Sequence, residues 1–368
     1  MKTKKVLTAN LKPGMVSSEA AYTFTNHLVI KSNTTLTEDI IEKLKYYAIK
    51  AVKIYVPEEN DNKETEDKKT TAGFSLDGPT YFERVQQSEA FVAFKDSFMS
   101  VVKLFHEQLD DYAVTDNNDI VEEMLHEMDM VLSNSRNPLH LLDMMQCLRG
   151  YDDITYVHSM NVALISNVIG NWLNLSKEDL RILTTCGLLH DIGKIKIPPE
   201  IIKKPGKLTD EEYALVRSHP KLGFDILSNR SLDERVKFSA LQHHERFDGS
   251  GYPRNLKGPE ISKFSSIIAI ADVYDAMTSN RSYRKGICPF KVIASFEKEK
   301  ELYEPSLLYL FMERTIEAYV NTEVLLSNKE KAKVVLLNKN SLSRPVVITD
   351  TKTYDLSRDF NIEIEELI

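Results

Sequence analysis

Between residues 241 and 253 the chain reads LQHHERFDGSGYP, two adjacent histidines followed by an acid, a base, an aromatic and a turn cluster. Neighbouring residues on an α-helix point about 100° apart, so His243 and His244 cannot both face one core stripe. Either one is a solvated surface residue, or both hold something that lies across the helix end. Three more histidines precede them at wide spacing: His158 in HSMNV, His190 in LLHDIGK and His219 in SHPKLG. Two carboxylates stand where burial is costly, Asp191 directly after His190 and Asp272 inside the apolar run FSSIIAIADVYDAM. Imidazole and carboxylate without thiolate suit iron, manganese, nickel or zinc in a catalytic site better than a structural zinc. Seven such side chains exceed what one ion accepts, whereas two ions sharing a bridging carboxylate use them all. Paired ions of that kind activate a water and clamp the oxygens of a phosphodiester.

Helices must carry these groups. In TYVHSMNVALISNVIGNWL, His158, Val162, Ile165, Ile169 and Trp172 recur at helical spacing on one apolar face, which turns His158 inward. Taken alone, such a histidine is more often a core residue bonded to a backbone carbonyl. The next helix opens with Ser176 as N-cap and Asp179 three residues on, follows Leu180, Leu183 and Cys186 to His190 and Asp191, and breaks at Gly193. Lys194 sets a cation beside that break. Pro220 suits the first turn of another helix and leaves His219 at the junction. Ile268, Asp272 and Asp275 share a face, so at least one carboxylate is directed inward. A lone buried aspartate is commonly a cap or an ion-pair partner, but five histidines and two aspartates in such places are not explained that way.

Around this helical region the pattern changes. Residues 1–57 predict a small α+β domain of short strands, a helix capped at Thr37 and a final strand AVKIYV. Residues 58–79 predict a linker, with EENDNKETEDKK free of apolar residues. Connecting helices are expected over 80–137, where Phe91, Phe94, Phe98 and Val102, then Val121, Leu125 and Met128, keep helical spacing. Helix follows helix over 138–325. Residues 326–368, with KVVLL and PVVIT, predict a small β appendage, so the expected fold class is mainly α.

The ordered motifs HSMNV, LLHDIGKIKIP, KPGKLTDEE, HPKLGFDIL, QHHERFDGSGYP and ADVYDAMTSNRSYRK resemble the HD-GYP family of the HD phosphohydrolase superfamily over about residues 138 to 320. The resemblance implies an all-α bundle that hydrolyses cyclic di-GMP at a multinuclear metal site. It implies one ion on His158, His190 and Asp272, a second on His219, His243 and His244, and Asp191 as the catalytic bridge between them. The expected cofactors are two divalent transition-metal ions, iron or manganese. It gives Lys194 a catalytic place beside the reacting phosphate, and makes Tyr252 of Gly251-Tyr252-Pro253, Arg281, Arg284 and Lys285 substrate contacts. The chain departs from the family in two places. Ile154 stands where three-metal members carry a glutamate, so no third ion is expected and linear pGpG should be the main product. KELYEPSLL replaces the usual closing element and keeps only an acid and Pro305.

The bulk properties exclude other classes. A formal charge of −8 argues against charge-driven binding to a nucleic-acid polymer or an anionic membrane. There is no apolar run long enough to span a membrane, and the basic start lacks the apolar stretch of a signal peptide. Three distant cysteines fit a reduced compartment, so a cytoplasmic protein is expected. Lys194, Lys196, Lys203, Lys204 and Lys207 cluster near the motifs and suit a small dianionic substrate, although a solvated face accounts equally well for Lys203, Lys204 and Lys207. A catalytically weak cyclic di-GMP receptor and a phosphodiesterase for another cyclic nucleotide are the alternatives. A homodimer or a signalling partner protein is compatible with either.

Overall fold

The computed structural model describes residues 2–8, 11–22, 28–46, 49, 51–56, 81–115, 117, 119–135, 137–148, 156–204, 206–279 and 286–368. The expected linker over 58–79, Ile154, and the three expected substrate contacts Arg281, Arg284 and Lys285 lie outside the described residues. The chain divides into two compact units, 1–71 and 72–368.

In the first unit, β1 (Lys2–Leu7), β2 (Ala21–Tyr22), β3 (Leu28–Ile30), α1 (Glu38–Tyr46) and β4 (Ala51–Val56) follow in order. The first and last strands pair antiparallel with Lys2 opposite Val56, and β2 pairs with β3. Thr37 caps α1 by accepting from the Ile40 amide at 3.3 Å. Leu36, Leu44, Val52 and Ile54 form its core.

The second unit is mainly helical: α2 (Tyr81–Gln86), α3 (Glu89–Val114), α4 (Asp119–Ser133), α5 (Pro138–Cys147), α6 (Tyr156–Trp172), α7 (Lys177–Leu189), α8 (Pro199–Ile202), α9 (Asp210–Val216), α10 (His219–Ser228), α11 (Glu234–Gln242), α12 (Lys263–Thr278), α13 (Pro289–Lys298) and α14 (Pro305–Ala318). Two helix starts follow the sequence signals closely. The Ser176 hydroxyl accepts from the Asp179 amide at the head of α7, and Pro220 lies in the first turn of α10. His219 is thereby the first residue of α10 rather than a residue of the junction before it.

After α14 comes a five-stranded antiparallel sheet, β5 (Glu323–Leu326), β6 (Lys331–Leu336), β7 (Val346–Ile348), β8 (Thr353–Asp355) and β9 (Ile364–Leu367), in spatial order β8-β7-β6-β5-β9. Val324 faces Ala332 on one side and Leu367 on the other, so β5 lies inside the sheet. Val324, Leu326, Val334, Val347 and Ile364 point inward and join the same hydrophobic core as Phe94 and Phe105 of α3 and Ile165 of α6. The sheet is therefore packed as part of this unit and not as a loose tail. Among the described residues no helix is long and apolar enough to cross a membrane.

Candidate metal centre

Two close backbone approaches bring the histidines together. At Gly187 an added Cβ would lie 2.4 Å from the Ala163 Cα, so α6 and α7 cross at a distance that only glycine permits. That crossing sets His158, in the first turn of α6, against His190 at the C-cap of α7, with ring centres 5.4 Å apart. At Gly193, in the 3₁₀ turn Ile192–Lys196, an added Cβ would lie 2.0 Å from the His219 carbonyl oxygen. The turn after Asp191 can thus press on the head of α10 and deliver His219. His243 is the C-cap of α11, His244 follows it, and Asp272 comes from α12, which is buried along most of its length.

The seven predicted ligands converge. Donor atoms of His158, His190 and Asp272 all lie within 4.8 Å of one another, and so do those of His219, His243 and His244, and of His190, Asp191 and His243. All are buried except His244, which is half-buried. Asp191 divides its oxygens between the two sets. Its Oδ2 is 3.7 Å from His158 Nε2 and 3.3 Å from His190 Nε2, while its Oδ1 is 3.2 Å from His219 Nε2 and 3.7 Å from His243 Nε2. His158 Nε2 also lies 3.1 Å from Asp272 Oδ1.

The outward ring nitrogens decide the tautomers. His190 Nδ1 is 2.7 Å from the Gly187 carbonyl, His219 Nδ1 is 2.7 Å from that of Val216, and His243 Nδ1 is 3.0 Å from that of Ala240. A carbonyl can only accept, so each Nδ1 carries the proton and each Nε2 presents a lone pair to the cluster. Two of these lone pairs meet head-on, His219 Nε2 and His243 Nε2 being 3.1 Å apart. His190 Nε2 and Asp191 Oδ1 are buried without a hydrogen-bond partner. Acceptors crowded in this way repel one another unless a cation lies among them, and the donor set is one that divalent transition metals take. The residues therefore fit a multinuclear metal site.

The electrostatics agree. Burial pushes His244 down to about 3 and holds His243 well below the usual imidazole range, so both are neutral and able to ligate. Asp191 and Asp272 remain ionised: burial opposes their charge, but the Lys194 ammonium outweighs it at Asp191, and the hydrogen bond from His158 does so at Asp272. The Lys194 ammonium touches Asp191 Oδ2 directly.

Several residues at the centre carried no assignment from sequence. Asp275 Oδ2 accepts from His158 Nδ1 at 2.7 Å, and its Oδ1 is held by Asn161 Nδ2 at 2.9 Å and by the Ser279 hydroxyl at 2.8 Å. Burial works against a charged His158, but the hydrogen bonds to Asp272 and Asp275 prevail and push it up to about 9, so an ion held at its Nε2 would have to displace a proton there. The shared face of Asp272 and Asp275 was the available signal, and both carboxylates turn inward. Glu245 is 2 % exposed, and its carboxylate accepts from the amides of Arg254 at 2.7 Å and Leu256 at 3.0 Å, which fixes the loop bearing Tyr252. Gly251 is required in that loop, since an added Cβ would lie 2.3 Å from the Arg246 amide nitrogen. Tyr252 stacks on His244, with ring centres 4.7 Å apart and planes inclined by 22°.

Comparison with known proteins covers this region. Residues 135–307 match the model of the HD domain. A cyclic di-GMP phosphodiesterase of Pseudomonas aeruginosa is 39% identical over 178 residues, covering 48% of this chain and 43% of that protein. A cyclic di-GMP phosphodiesterase response regulator of Xanthomonas campestris is 43% identical over 124 residues, covering 33% of this chain and 32% of that protein. A 3′3′-cGAMP-specific phosphodiesterase of Vibrio cholerae is 36% identical over 162 residues, covering 43% of this chain and 31% of that protein. The chain spans less than half the length of each of these relatives.

Proposed function

We propose, from the premise that residues 135–307 are an HD domain of the HD-GYP kind, that the chain is a metal-dependent phosphodiesterase that hydrolyses cyclic di-GMP, mainly to linear pGpG. The observation that carries this reading is the division of Asp191, one oxygen toward His158 and His190 and the other toward His219 and His243. A carboxylate so placed suits two ions, one on His158, His190 and Asp272 and the other on His219, His243 and His244. Divalent ions there, iron or manganese, would supply Lewis acidity toward the phosphate and a water acidified to near neutral pH. The protein's own groups do the rest. Lys194, beside Asp191, stabilises charge that develops on the phosphate oxygens and can give a proton to the leaving oxygen. Tyr252, packed on His244, forms one wall against which the substrate is oriented. A pure receptor would have no use for paired lone pairs around a buried carboxylate.

The Vibrio cholerae relative favours a second substrate, 3′3′-cGAMP, with the same chemistry. Metal analysis of anaerobically purified protein, followed by chromatography of digests of both dinucleotides, tests the proposal. Two ions per chain, faster loss of cyclic di-GMP and accumulation of the linear dinucleotide are expected. One ion at full loading, with no turnover of either substrate, would overturn it. Preference for 3′3′-cGAMP would keep the chemistry and replace the substrate.

A further inference from the structure

Arg217 is the C-cap of α9 and stands two residues before His219. Its guanidinium carbon lies 4.3 Å from the centre of the Tyr252 ring and 5.9 Å from that of Tyr213. Since Tyr252 stacks on His244, the order His244, Tyr252, Arg217 is a ladder that climbs from the buried cluster to the exposed rim. Tyr213, at the same rim, is 53 % exposed.

Arg217 differs from Arg181 and Arg235 in how its charge is used. Arg181 and Arg235 end on carboxylates at 2.6 Å. Among the described residues, no carboxylate lies within ion-pair distance of Arg217 and its guanidinium donates no hydrogen bond. A cation on an aromatic ring is held by its flat face, which leaves the five N–H donors around its edge available. That edge is a fork matched to two oxygens of one phosphate.

We infer that Arg217 binds the phosphate of the cyclic dinucleotide that is not being cut, an inference that rests on the function proposed above. The reacting phosphate belongs at Asp191 and Lys194, deep in the cluster. A cyclic dinucleotide carries a second phosphodiester across its ring, and that group has to rest at a distance from the first, nearer the rim. Arg217 is an unneutralised cation at the rim, already braced by Tyr252, so ordering it on binding costs little side-chain entropy.

The test uses the full metal-loaded chain with Arg217→Ala and Arg217→Lys, and three measurements: metal per chain, KM and kcat for cyclic di-GMP, and kcat/KM for bis(p-nitrophenyl) phosphate, a diester with a single phosphate. With Arg217→Ala, KM for cyclic di-GMP should rise about tenfold with a much smaller change in kcat, as expected for losing a charged phosphate contact. The loss in kcat/KM should be several times larger on cyclic di-GMP than on the single diester, and Arg217→Lys should recover part of it. An unchanged KM in Arg217→Ala, an equal loss on both diesters, or loss of metal would each overturn the assignment. A wild-type chain that cleaves the single diester but no cyclic dinucleotide would instead remove the proposed function, and this inference with it.

Discussion

The two halves of the histidine cluster are held in different ways. On one side His158 is gripped by carboxylates from a single helix, Asp272 at Nε2 and Asp275 at Nδ1. On the other, His219 and His243 are braced only by backbone carbonyls, those of Val216, Ser239 and Ala240. The first arrangement gathers negative charge around an imidazole and pushes it up to about 9. The second collects neutral rings, with His244 pushed down to about 3 by burial. An ion in the first half would meet two carboxylates, Asp272 and Asp191, while one in the second would meet three imidazoles and share Asp191. Charge on a ligand raises affinity and lowers the Lewis acidity left for substrate. On the proposed two-ion reading, the first half would hold its ion more tightly and the second would leave more Lewis acidity for an oxygen.

Removing the shared Asp191 together with its neighbour His190 should have the largest effect. His190→Ala with Asp191→Ala should strip both ions and reduce hydrolysis to background, while helical circular dichroism persists because the core from α3 to the sheet does not depend on the centre. Turnover retained in that double variant would place the chemistry elsewhere. A change confined to one half comes next. Asp275→Asn keeps the shape but weakens the charge-assisted bond to His158 Nδ1, and should lower affinity for the more tightly held ion by about ten- to a hundredfold. Competition titration with a chelator measures this. If Asp275→Asn instead weakened the ion that the wild-type chain releases first, the two halves would have been ranked in the wrong order. The smallest effects should come from the glycines that set each half. Gly187→Ala forces a methyl against Ala163 and should spread His158 from His190, whereas Gly193→Ala should displace His219. Each should lower stability by about 1–3 kcal/mol, seen as a fall in Tm. Metal loss should fall on the first half for Gly187→Ala and on the second for Gly193→Ala, and the same loss in both variants would erase the distinction.

Much of the centre is legible in the chain because each ligand lies on an element with a strong local signature. His158 lies on the apolar face of α6, His190 and Asp191 end a helix opened by Ser176, and His219 stands against Pro220. Asp275, Glu245 and Arg217 were not legible as site residues. Asp275 looks like its neighbour Asp272 until α12 is laid beside α6. Glu245 gains its role only when the chain turns back at Gly251. Arg217 meets Tyr252 across thirty-odd residues of intervening chain, and no local pattern marks a cation that will rest on a distant ring. The C-terminal sheet shows the same limit. KVVLL and PVVIT announce β6 and β7, but EVLL and the alternating IEIEEL become strands by pairing with each other.

The sequence by itself determined the ligand types, the helices that bear them and the turns at Gly193 and Gly251, because helix periodicity, capping and glycine preference act within a few residues. Only the tertiary structure decided which oxygen of Asp191 faces which histidines, which carboxylate braces His158, and where Arg217 comes to rest. Those outcomes depend on packing between helices distant along the chain, where a shift of about one ångström changes a hydrogen-bond partner, and no local preference has that reach.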